Sequence, residues 1–180
     1  MALPVTELLV LCTGNAARSV MAGFMLENLD ATRATTGLHI VTAGTHTVDG
    51  QPMGLRTRTA LKALPELAGS DFGRHRSRQV CEADFARAEL VVAMEADHVR
   101  FVRRQHPAAA DRTATIRRLC EDLTPPPPSL AARVARLKLA DATLSDSDDV
   151  IDPADSSDAR AYDACVTELW GLCQRLITLL

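Results

Sequence analysis

Apolar residues along this chain follow two alternating rhythms. Short unbroken runs are separated by longer stretches in which one apolar residue recurs every three or four positions. Leu8-Leu9-Val10-Leu11 is the first run, inside a strand expected over Thr6–Leu11. A run without polar interruption suits a parallel strand covered on both faces. Met21, Phe24, Met25 and Leu29 then carry a helical pattern over Ser19–Leu29. After a break at Gly37, Leu38–Ala43 reads as a second strand, and Gly44–Met53 has the composition of a loop. Gly54–Leu64 reads as a helix with Leu55, Thr59 and Leu61 to Leu64 on its apolar side.

The same alternation continues. Cys81–Ala88 predicts a short helix, Leu90–Met94 a buried strand, and Ala96–Gln105 a helix stopped by Pro107. Arg112–Leu119 alternates through Ala114 and Ile116 and predicts a fourth strand. Pro125–Pro128 predicts a stiff surface loop, Leu130–Leu139 an extra helix, and Ser145–Val150 an acidic loop. Tyr162, Cys165, Val166, Leu169, Leu172, Cys173, Leu176 and Leu180 share one face of a long last helix. Strands alternating with helices give an α/β fold with a parallel sheet.

Composition narrows the function. A chain of 180 residues with 47% hydrophobic content is expected to form one domain over residues 1–180. A net charge of −3 gives no general affinity for polyanions, so nucleic acid is not an expected partner. No apolar run approaches a membrane span, and MALPVTELLV lacks a basic region and a cleavage site. The expectation is a cytoplasmic, monomeric protein with no membrane partner. The five cysteines, Cys12, Cys81, Cys120, Cys165 and Cys173, are odd in number and dispersed, without C-x-x-C. That argues against a disulfide framework and against a zinc site. No metal or other cofactor is expected.

The chemistry concentrates where the first strand hands over to the first helix. Cys12 ends the strand; Thr13, Gly14, Asn15, Ala16 and Ala17 are small; Arg18 closes the loop and Ser19 opens the helix. Ligands of α/β sheets bind beyond the carboxyl ends of strands. A helix N-terminus offers free N–H groups and a favourable dipole to anions. A loop of small residues, with Gly14 and Asn15 tolerant of left-handed backbone, can turn successive N–H groups inward as an anion nest. The planar fork of Arg18 matches two phosphate oxygens. Cys12 then lies at the bottom of the cradle, where a helix terminus and a guanidinium favour a nucleophilic thiolate.

A thiolate that attacks a phosphate ester needs a proton donor for the departing oxygen. Asp152-Pro153, in a loop before the last helix, is the candidate, because proline biases Asp152 toward extended geometry that can aim its side chain. Asp149, Asp155 and Asp158 are its rivals.

With these residues the chain resembles the low-molecular-weight protein tyrosine phosphatases over nearly its whole length. The resemblance rests on C-T-G-N-x-x-R-S at Cys12–Ser19, V-T-A-G-T at Val41–Thr45, H-R-S-R-Q at His75–Gln79, V-V-A-M-E at Val91–Glu95, and the late Asp152-Pro153. It implies a three-layer α/β/α fold with sheet order 2-1-3-4. It also implies metal-independent hydrolysis of a phosphomonoester through a phosphocysteine on Cys12. Arg18 and the N–H groups of Thr13 to Arg18 bind the phosphate, Asp152 serves as acid and then base, and Ser19 supports the sulfur. Asn15, tied to Thr42 and His75, holds the loop in shape. The implied substrate is phosphotyrosine on a protein, or a small aryl phosphate.

Several positions depart from that family's pattern. Ala17 stands where a second cysteine is common, so no disulfide can join it to Cys12. Ala154 stands where an aromatic usually follows Asp-Pro, and the loop Thr45–Gly50 offers His46 and Val48 but no aromatic. Glu95 and His98 replace the usual Asp and Asn near Arg18. Two alternatives remain: a non-catalytic phosphate- or phosphopeptide-binding module, and an arsenate reductase on the same fold relaying a disulfide through Cys81 and Cys120, the latter read as ending a strand.

Overall fold

A computed structural model describes residues 5–33, 37–158 and 160–180; the first four residues of the N-terminal segment read above lie outside them. Strand β1 (Val5–Cys12) leads into helix α1 (Arg18–Ala31), and β2 (Gly37–Gly44) and α2 (Leu55–Lys62) follow. The middle of the chain contributes α3 (Glu82–Arg87), β3 (Leu90–Ala93), α4 (Ala96–Gln105), β4 (Thr113–Thr115) and α5 (Ile116–Asp122). Helices α6 (Leu130–Arg136) and α7 (Arg160–Leu179) complete it. The strands form one parallel sheet in the order β2-β1-β3-β4.

Strand periodicity explains the layers. Successive side chains of a strand point to opposite faces. Leu8 and Val10 of β1 join Leu90 and Val92 of β3 in a core with Met21, Met25, Leu169 and Cys173 of α1 and α7. Leu9 and Leu11 join Val91, Phe85 and Val102 in a second core on the opposite face, under α3 and α4. Each of these strand residues is fully buried, which is why β1 and β3 read as unbroken apolar runs.

Two sequence expectations need correction. The fourth strand ends at Thr115, and Ile116 begins α5. The Thr115 side chain accepts a hydrogen bond from Arg118 N–H, an N-cap that starts the helix. The buried residues after it are Ile116, Leu119 and Cys120, at helical spacing. Cys120 therefore sits inside a helix, not at a strand end. Helix α2 likewise buries Thr57, Ala60 and Leu61, while Leu55, expected on its apolar side, stands exposed.

The sheet's carboxyl end is held tightly. At Gly44, where β2 ends, a Cβ would fall 2.6 Å from Thr13 O, so the absence of a side chain lets β2 close against the loop after β1. Gly44 N–H donates to Arg78 O and Gly44 O accepts from Val80 N–H, which draws segment 78–80 to the same corner.

Candidate active site

The loop between β1 and α1 is built by its carbonyl groups. Cys12 O accepts from Thr45 N–H (2.9 Å) and Thr13 O from His46 N–H (2.9 Å). Gly14 O accepts from Thr47 Oγ1 (2.7 Å), Asn15 O from His75 Nε2 (3.0 Å) and Ala16 O from Thr57 Oγ1 (3.0 Å). Ala17 O accepts from Met21 N–H of α1. Six consecutive carbonyls are thus anchored outside the loop, and among the described residues no protein acceptor takes the N–H of Gly14, Asn15, Ala16 or Ala17. Such a set of unpartnered N–H groups, at the start of a helix with no acidic residue in its first turn, is an anion nest.

Asn15 supplies the bend. Its φ of 46° is left-handed, a conformation asparagine tolerates better than most residues. Its side chain is fully spent: Nδ2 donates to Ser19 Oγ and Thr42 Oγ1 (both 3.0 Å), and Oδ1 accepts from Arg78 N–H (3.1 Å). His75 reaches the same residue through the main chain. Since it donates Nε2–H to a carbonyl, it carries its proton on Nε2. Burial lowers its pKa, with Arg76 and Arg74 adding to the effect against the Asn15 carbonyl.

Cys12 and Arg18 meet at the nest. Cys12 Sγ lies 3.0 Å from Ser19 Oγ. Arg18, only 1% exposed, places Nη1 2.5 Å from Glu95 Oε2 and Nη2 2.5 Å from Asp152 Oδ2. Burial works against its charge, but Glu95 and then Asp152 outweigh it, and the net shift of its pKa is upward. Arg18 Nε is buried and has no protein partner among the described residues. His98, beside Glu95 (3.3 Å), pairs with Thr13 Oγ1 (3.0 Å). Burial, then Arg18, push its pKa down to about 3, so the ring is neutral.

Asp152 reaches this point because its loop is sewn to the end of β3. Val150 N–H donates to Met94 O, Val150 O accepts from Arg18 Nη1, and Asp149 Oδ1 accepts from Ala96 N–H at the start of α4. Asp149 is therefore a helix cap. Asp158 is an exposed partner of Arg160. Asp152 also accepts from Ala154 N–H, which fixes the turn carrying Pro153.

The cleft over Cys12 is about 600 Å³ and is walled by Leu55, Arg56, Ala154 and Tyr162. Sequence reasoning pointed to the position of Ala154 but missed Leu55, Arg56 and Tyr162 as walls. Tyr162 reads as one more core residue of α7; it packs against the core and also lines the cleft, with the Arg56 guanidinium 5.9 Å from its ring centroid. Thr45, Thr47 and Thr57 were equally hidden as anchors. The signal for Thr45 and Thr47 was a loop leaving β2 on the same rim as Cys12; Thr57, in α2, gave none.

A thiol at the end of the first strand, under an anion nest and opposite a carboxylate, on a four-stranded parallel sheet, defines a thiol-dependent phosphatase. The chain belongs to the low molecular weight phosphotyrosine protein phosphatase family, whose model matches residues 7–125. A protein-arginine-phosphatase of Geobacillus stearothermophilus is 30% identical over 111 residues, 62% of this chain and 69% of that protein. A probable low molecular weight protein-tyrosine-phosphatase, EpsP of Ralstonia nicotianae, is 27% identical over 117 residues, 65% of this chain and 72% of its own length. Among solved structures, a low molecular weight protein tyrosine phosphatase from T. tengcongensis superposes with a TM-score of 0.74 at 27% identity, covering 97% of this chain and 99% of that one.

Proposed function

We propose that the whole chain is one catalytic domain that hydrolyses phosphotyrosine on proteins through a phosphocysteine on Cys12. The outward anchoring of every carbonyl from Cys12 to Ala17 carries this reading, because it leaves the loop N–H groups without protein acceptors at a cleft lined by Cys12 and Arg18. Cys12 Sγ attacks phosphorus as the ester P–O bond breaks, and Asp152 in its acid form protonates the departing phenolic oxygen. The nest and Arg18 stabilise the equatorial oxygens, the kind of fixed-dipole stabilisation that dominates such reactions. Water then attacks the phosphocysteine while the Asp152 carboxylate takes its proton. The S–P bond breaks, releasing phosphate and the thiolate, which the Ser19 hydroxyl stabilises.

Leu55 and Tyr162 supply apolar and aromatic surface to a phosphotyrosine ring, standing in for the aromatic residues absent at Ala154 and in the loop Thr45–Gly50. The kinship to an arginine phosphatase raises a second substrate, phosphoarginine. Arg56 beside Tyr162 disfavours it, since a second guanidinium there meets like charge. Neither the binding module nor the arsenate reductase is favoured. Binding alone needs no acid beside Arg18, and the Cys120 thiol is buried, with its pKa raised by that burial to about 11.

The test is hydrolysis of an aryl phosphate with a chelator present, alongside matched phosphotyrosine and phosphoarginine peptides. Chelator-resistant activity lost in Cys12→Ser supports the thiol mechanism, and a higher kcat/KM on phosphotyrosine supports the substrate. No turnover by folded wild type, with tight vanadate binding, would favour the binding module.

A further inference from the structure

Four large apolar side chains stand exposed among the described residues, and three of them surround the nest: Val48 (70%), Leu55 (78%) and Ile151 (79%). The fourth, Val5, begins β1 at the opposite end of the sheet. Single exposed apolar residues are ordinary, but a group around one cleft marks a contact surface.

The ground on either side of the cleft is hollowed. A depression of about 490 Å³ adjoins it across Gly14 and Ala16 and is lined by His46, Val48, Gln51 and Pro52. A second, of about 440 Å³, adjoins it across Asp152 and is lined by Ile151, Pro153, Asp155, Ala161 and Glu168. The two share different walls with the centre and differ in charge. The first has no lysine, arginine or carboxylate in its lining. The second has three carboxylates and no cation. Arg18 engages Asp152 and Arg117 engages Glu168, while Asp155 has no ion-pair partner among the described residues.

A small phosphate ester fills only the centre. We propose that the two depressions are flanking subsites for an extended protein segment. The phosphorylated residue enters the cleft, an apolar neighbour covers Val48 and Pro52, and a lysine or arginine on the other side faces Asp155 beside Ile151. This assignment rests on the phosphotyrosine-hydrolase reading and adds to it the sequence context of the substrate.

The experiment uses three phosphotyrosine peptides. One has alanine on both sides; the others carry leucine on one side and lysine on the other, in the two possible orders, since either chain direction satisfies the subsites. Each kcat/KM is divided by that of p-nitrophenyl phosphate on the same enzyme. One order should exceed the alanine peptide by about fivefold for the apolar contact and a further twofold or so for the exposed charge. Val48→Ser should erase the leucine gain alone, and Asp155→Asn the lysine gain alone. Raised salt should reduce only the lysine gain. Two orders no better than alanine, or gains that survive both substitutions, overturn the proposal. If p-nitrophenyl phosphate is not turned over, the catalytic reading fails, and the same ratios measured as peptide binding still decide the subsites.

Discussion

His98→Asn should flatten the loss of stability on the acid side of neutrality. The native imidazole has a pKa of about 3, because burial and then the Arg18 charge oppose protonation, with Asp97 pulling weakly the other way. The unfolded chain binds that proton near the ordinary value of about 6.5. Between the two values unfolding takes up a proton, so His98 leaves stability intact above about pH 6.5 and erodes it as pH falls toward 3. From pH 7 to pH 5 the loss from this one site is about 2 kcal/mol. At 3% side-chain exposure water screens little of it. His75, also shifted downward, adds in the same direction but is common to both proteins. Asp84, a carboxylate held below its usual range, loses its contribution only at lower pH. Urea unfolding at pH 7, 6 and 5 reads the difference directly. Wild type should lose about 2 kcal/mol more than His98→Asn over that span. Parallel stability curves would show that His98 takes up its proton in the native state, and the argument from burial would be wrong.

Other outcomes follow from the same geometry. Asp152→Ala should lower kcat by about 10²–10⁴-fold for poor leaving groups and far less for p-nitrophenol, read from a series of aryl phosphates; a uniform loss would remove Asp152 as the acid. Asn15→Ala forfeits three side-chain hydrogen bonds and forces alanine to a φ of 46°, a loss of about 3–4 kcal/mol. Asn15→Gly should recover about 1 kcal/mol of that, and equal unfolding midpoints for the two would deny the backbone its share. With vanadate bound, Cys81 should be the one thiol that Ellman's reagent labels quickly in the native protein, because Cys120, Cys165 and Cys173 are buried. Burial also raises the pKa of Cys165, to about 12.

The strand–loop–helix unit around Cys12 was legible because its signals are local: an apolar run, small residues, then Arg18. The sheet order came from the resemblance and not from periodicity. The boundary of β4 was lost because Ala114 and Ile116 satisfy an alternating pattern while Ile116, Leu119 and Cys120 satisfy a helical one, and only the Thr115 cap decides between them. Anchors such as Thr57 to Ala16 join residues 41 positions apart, which no spacing rule reaches. Tyr162 was hidden for the opposite reason. It obeys the helical pattern of α7 fully and packs against the core as that pattern implies, so nothing in the pattern shows that it also lines the cleft.

The contact between Arg18 and Asp152 has a kinetic consequence. The guanidinium holds a carboxylate through Nη2, so an oxyanion that reaches for that atom competes with a tethered partner positioned by the Val150 contact. That competitor weakens substrate and inorganic phosphate alike, and it returns as product leaves. Inhibitors that engage the nest while leaving the Arg18–Asp152 pair intact avoid that competition altogether.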